Sequence, residues 1–128
     1  YSSDYSINEQ ALEKVINKII EEGVHGIVLA GSTGENYSQT LDERIHLMKL
    51  CKKFIDKRVT LVVGTGAVTR TEDSINLGKE AKSVGADAIM ISSPPYAVPT
   101  SKENALNAVI VLVGFCKICF LSILLPFN

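Results

Sequence analysis

Tryptophan is absent from the 128 residues, and aromatic side chains make up only 6% of them. Platforms for unpaired bases are built from such rings, so single-stranded nucleic acid is a poor fit. An excess of basic charge is also missing. The 13 Lys and Arg stand against 14 Asp and Glu, a net charge of −1, which leaves no electrostatic footprint for nucleic acid. Three cysteines make no disulfide framework, and a reducing, cytoplasmic interior is expected. Cys116 and Cys119 form one C-x-x-C in an apolar run, without a second pair or a nearby histidine, so neither zinc nor redox chemistry is expected. The N-terminus lacks the charged start and apolar stretch of a secretory signal. It opens on Tyr1 rather than Met, as expected of a fragment or a processed form. No G-x-x-x-x-G-K-[ST] occurs, which removes the P-loop.

What is present is alternation. Residues 6–22 carry Leu12, Val15, Ile16, Ile19 and Ile20 at helical spacing, with a capping box expected from Ser6 and Glu9 and a C-terminal cap at Gly23. HGIVLAG, residues 25–31, follows as a short strand expected to be buried on both faces. Residues 40–56 repeat the helix, opened by Thr40 and Glu43 and lined by Leu41, Ile45, Met48, Cys51 and Ile55. Residues 59–63 predict the next strand, residues 69–84 a helix capped through Thr69 and Glu72, and residues 86–92 a third strand. The period is roughly 30 residues, the size of one βαβ unit. Parallel strands follow, in an open doubly wound sheet or a (β/α) barrel. Both place function in the loops after the strand ends, here GSTGEN, GTGAVTR and SSPPYAV.

GSTGEN, residues 31–36, offers two hydroxyls and several N–H groups at a turn, which suit a carboxylate or phosphate. The competing reading is a capping box through Ser32 and Glu35, with glycines that only permit the turn. Gly64-Thr65-Gly66 resembles part of a dinucleotide fingerprint. Thr69 occupies the third glycine's place, and the acidic residue, Asp87, lies at the wrong end of its strand. Tyr96 sits in a proline-stiffened loop, where it relays a proton, covers a ligand or simply packs. His25 and His46 read as structural or solvated.

Taken in order, GIVLAGSTGE, TLDER (Thr40 to Arg44), VVGTG and GADAIMISSPPY resemble the dihydrodipicolinate synthase / N-acetylneuraminate lyase family of pyruvate-dependent class I aldolases over residues 4–108. Gln39 stands where many relatives carry Leu. The resemblance implies an α/β fold, here roughly the first half of a (β/α)₈ TIM barrel, in a homotetramer acting on pyruvate and an aldehyde without metal or cofactor. It implies that Ser32 and Thr33 hold the pyruvate carboxylate on a loop shaped by Gly31, Gly34 and Glu35. Ser32 and Tyr96 would be catalytic members of a proton relay, with Tyr96 lent by a neighbouring subunit.

The departures are equally specific. A Tyr-Asn-x-Pro motif is expected near Ser122, where FLSILLPFN has no Tyr. The Schiff-base lysine is expected about two strands past the Tyr96 loop, and Lys117 lies instead inside an apolar run. Residues 1–108 are therefore read as a partial barrel, and residues 109–128 as a divergent apolar tail from a frameshift or truncation. Residues 105–127 are long enough to cross a membrane, which makes an anchor the less favoured alternative. The expectation is an inactive copy. A non-catalytic partner subunit or membrane-associated half barrel is the alternative, and a dinucleotide-binding domain the weaker one.

Overall fold

The computed structural model describes residues 1–66, 70–92, 100–103 and 119–122, the last four as backbone only. Three helices and four strands alternate along it: α1 (Glu9–Glu21), β1 (Gly26–Leu29), α2 (Leu41–Ile55), β2 (Thr60–Gly64), α3 (Thr71–Ser83), β3 (Ala88–Ile91) and β4 (Cys119–Ser122). Asn36–Ser38 add one 3₁₀ turn before α2.

The helix ends show which local signals acted. Asn8 caps α1, its side chain accepting the Ala11 N–H at 2.9 Å. The Ser6–Glu9 box does not form. Ser6 turns back to Asp4, and Glu9 meets His46 at 3.0 Å. Asn ranks among the strongest N-caps, and it lies two residues closer to the helix. Thr40 and Glu43 do form the reciprocal box that opens α2. The N-cap of α3 is Arg70, whose side chain makes no capping hydrogen bond, and the expected Thr69 cap lies outside the described residues. Gly23 and Gly85 take φ values of +89° and +80° after α1 and α3, the left-handed C-terminal cap that glycine adopts without penalty.

The four strands are parallel in the order β1-β2-β3-β4. Ile27 faces Leu61, Val63 faces Ile89, and Ile91 faces Ser122. Parallel order with helical crossovers is the α/β architecture expected, and it matches part of a barrel. β4 continues the sheet inside the apolar run. Among the described residues no helix is long and apolar enough to cross a membrane.

The core lies between the helices and the sheet, around Met48, Cys51, Ile55, Leu61, Val63 and Leu77. Two expectations about burial do not hold. Val15 is 55% exposed, off the stripe on which Ile16 is buried. β1 is not buried on both faces: Val28 is also 55% exposed. The cause is alternation: Ile27 and Leu29 pack against the core, while Val28 points to the other face of the sheet.

Candidate active site

The loop that leaves β1 begins at the C-terminal ends of the strands, where Ala30 packs on Gly64 and Gly66 packs on Ser92. Residues 31–35 form two overlapping turns, Gly34 N–H to the Gly31 carbonyl at 3.0 Å and Glu35 N–H to the Ser32 carbonyl at 3.1 Å. Ala30 and Glu35 bracket the loop at φ +55° and +54°. A non-glycine residue there costs on the order of 1–2 kcal/mol, so surrounding bonds must hold it.

One such bond comes from Asn36. Its buried side chain donates to the Ala30 carbonyl at 2.9 Å and ties the end of the loop to its beginning. Gln39 reaches back to the Gly34 carbonyl at 3.3 Å, a bond for which a Leu would have no donor. Ser32 and Glu35 form no capping box. Glu35 is itself the cap of the 3₁₀ turn, in left-handed geometry and without a side-chain bond. A box needs its fourth residue in helical backbone, and Glu35 is left-handed at φ +54°. Among the described residues the Ser32 and Thr33 N–H groups and hydroxyls have no partner, and both residues are exposed. Four such donors thus lie on one exposed turn, a set that suits an anion.

The floor beneath this loop is close-packed backbone. A methyl added at Gly64 would lie 2.9 Å from the Ala30 carbonyl carbon, and one at Gly66 would lie 2.9 Å from Ser92 Cβ. Only glycine permits this approach of β1, β2 and β3. Thr65, between them, is fully buried, with its N–H on the Met90 carbonyl at 2.9 Å and its hydroxyl accepting from Ser74 at 3.2 Å.

Arg44 holds the same floor from below. It rises from the first turn of α2, is 1% exposed, and donates to the Gly64 carbonyl at 2.7 Å and the Gly66 carbonyl at 2.9 Å. Burial pushes its guanidinium pKa down, yet an arginine keeps its charge at any working pH. Its buried Nε has no acceptor among the described residues.

Neither Asn36 nor Arg44 stands out as functional in the sequence reading. For Arg44 a signal exists. It sits four residues before Met48 on the stripe that continues through Cys51 and Ile55, and a charge on an apolar stripe must find a buried partner. For Asn36 no pattern exists, because its acceptor is reached only when the turn closes.

Gly31, Ser32, Thr33, Gly34 and Glu35 therefore share one loop, as expected. Tyr96, Lys117 and the 93–99 loop lie outside the described residues. Asp87 accepts the Leu61 N–H at 2.8 Å at the start of β3, the opposite end of the sheet from Gly64–Gly66, so it offers nothing to a dinucleotide there. Among the described residues no group of three His, Cys, Asp or Glu side chains could hold a metal.

The dihydrodipicolinate synthetase family model matches residues 1–108. A 4-hydroxy-tetrahydrodipicolinate synthase of Thermodesulfovibrio yellowstonii is 38% identical over 96 residues, 75% of this chain and 33% of the relative. Among solved structures, the N-acetylneuraminate lyase of Mycoplasma synoviae superposes with TM-score 0.90 at 27% identity, over 99% of this chain and 43% of that one. The dihydrodipicolinate synthase of Acinetobacter baumannii complexed with pyruvate superposes with TM-score 0.87 at 28% identity, over 94% of this chain and 41% of that one. The chain spans about a third of the length of the curated relatives it matches.

Proposed function

Because the chain belongs to the dihydrodipicolinate synthetase family, we propose that its 31–35 loop holds the carboxylate of a 2-oxo acid, pyruvate foremost, in the site of a Schiff-base aldolase or lyase. The observation that supports this is the set of unpartnered donors on Ser32 and Thr33. A carboxylate leaving water needs several N–H and O–H groups at fixed positions, and a turn clamped by Asn36 supplies them without reorganisation. The pyruvate complex of the Acinetobacter baumannii relative favours the same ligand class.

In this reading a lysine amine adds to the ketone and loses water to give an imine. Loss of a methyl proton then gives an enamine, which attacks an aldehyde, or the sequence runs backwards in cleavage. Ser32 belongs to the relay that carries the proton, with Tyr96 from a neighbouring subunit. Gly31, Gly34 and Glu35 shape the loop. The family resemblance puts the lysine about two strands past the Tyr96 loop, so the 128 residues alone make no Schiff base. Residues 1–108 form the barrel part and residues 109–128 a divergent tail, within an assembly expected to be tetrameric.

Two measurements test the proposal. In an amide-resolved NMR titration, pyruvate shifts Ser32 and Thr33 and leaves the opposite end of the sheet unmoved. A loop that ignores pyruvate at millimolar concentration refutes the ligand assignment. Borohydride trapping with pyruvate, read by intact mass, yields no specific adduct. A stoichiometric adduct at one lysine refutes the claim that this chain alone is inactive.

A further inference from the structure

Arg44 is in an unfavourable place for a cation on three counts. It is 1% exposed, so its charge is largely removed from water. It lies in the first turn of α2, where the helix dipole is positive and repels it. It has no carboxylate partner. Every Asp and Glu of the chain lies among the described residues, and none forms an ion pair with Arg44. Asp42 and Glu43 share its turn, but Glu43 is engaged with Thr40. Among the described residues two carbonyl dipoles meet the guanidinium, and its Nε has no acceptor.

Packing does not require this arrangement. A hydrophobic residue at this place would continue the apolar stripe, and such replacements of buried charge are often neutral or stabilising. What the arrangement creates is positive potential behind the strand ends. The Gly64 carbonyl that Arg44 holds belongs to the residue packed on Ala30, and Ala30 leads directly into Gly31 and Ser32. The exposed donors and the uncompensated charge therefore occupy one end of the sheet.

We infer that Arg44 is the specificity-determining charge of this site: an anionic carboxylate on the 31–35 loop supplies its missing countercharge, so the site selects a carboxylate over its neutral isostere. The inference rests on the proposed binding loop, and it adds a positioning residue that touches the ligand through space rather than directly. It excludes a purely structural role, since a clamp on two carbonyls would serve charged and neutral ligands alike.

The test is an NMR titration of the full chain with acetate, pyruvate and the neutral isostere pyruvamide, in wild type, Arg44→Gln and Arg44→Lys, with folding checked by circular dichroism. In Arg44→Gln both carboxylates are expected to weaken about tenfold or more, while pyruvamide is unchanged. Arg44→Lys, which keeps the charge, retains most of the carboxylate affinity. Equal weakening of pyruvate and pyruvamide in Arg44→Gln, or no weakening of pyruvate, overturns the inference and leaves the 2-oxo acid reading intact. If wild type binds acetate as well as pyruvate and Arg44→Gln loses both, the inference stands and the 2-oxo acid reading falls. No carboxylate response in wild type overturns both. Should Arg44→Gln not fold, the wild-type ratio decides: pyruvamide bound as tightly as pyruvate overturns the inference.

Discussion

The sharpest quantitative expectation concerns the two glycines at the end of β2. An alanine methyl at residue 64 would sit 2.9 Å from the Ala30 carbonyl carbon, with that carbonyl's oxygen closer still and the Leu29 oxygen at 3.3 Å. All three neighbours are backbone atoms of an adjacent strand and loop, so β1 and β2 must separate locally. At residue 66 the obstacle is different, because the methyl meets the Ser92 side chain, with Cβ at 2.9 Å and the backbone N at 3.1 Å. Overpacking typically costs about 1–3 kcal/mol. Gly64→Ala belongs at or above the top of that range, since no side chain can yield. Gly66→Ala should cost about 2 kcal/mol, of which Ser92→Gly in the same chain restores about 1 kcal/mol or more as a coupling between touching residues. Equilibrium urea unfolding of wild type, the three single variants and the 66/92 double variant, followed by circular dichroism, measures each term. A Gly64→Ala loss below about 1 kcal/mol, or additive behaviour at 66 and 92, would refute the claim that close backbone approach organises these strand ends.

Three other perturbations follow from the same geometry. Asn36→Ala strands the Ala30 carbonyl and should cost about 1–3 kcal/mol by calorimetry, with Asn36→Asp worse because an acceptor then faces an acceptor; indifference to both would remove Asn36 as the latch. Thr40→Ala should cost about 1 kcal/mol at neutral pH. The Thr40 N–H, then its hydroxyl, hold the Glu43 carboxyl below its ordinary 4.5, so Glu43's part is full above that value and fades as pH falls through the folded pKa. A wild-type to Thr40→Ala difference that grows on acidification would contradict that sign. Cys51 is 1% exposed and its thiol is pushed up to about 11 by burial, so peptide-resolved alkylation should modify it only as fast as the chain unfolds. Rapid labelling of the native chain would show that the α2 face opens locally.

Much of the fold is legible along the chain because its causes are local. Thr40 and Glu43 lie three residues apart and need nothing else to close their box. Gly23 and Gly85 mark helix ends because only glycine takes that φ freely. Short apolar runs between helical stripes predict parallel strands, and the loop from Gly31 to Glu35 stands out by composition alone. Tertiary structure decided what depends on a partner from elsewhere. An apolar run does not say whether both faces of its strand are covered, so Val28 came out exposed while Ile27 and Leu29 pack on the core. Ser32 and Glu35 had the spacing of a capping box but not the backbone, because two residues with positive φ turned the chain into stacked turns. Arg44 looks like one more helix charge until α2 packs under the sheet and brings it to the Gly64 and Gly66 carbonyls. Local spacing determined the elements and the loop. Burial determined which donors remained free and where the uncompensated charge lay, because both depend on what the fold places across from each group.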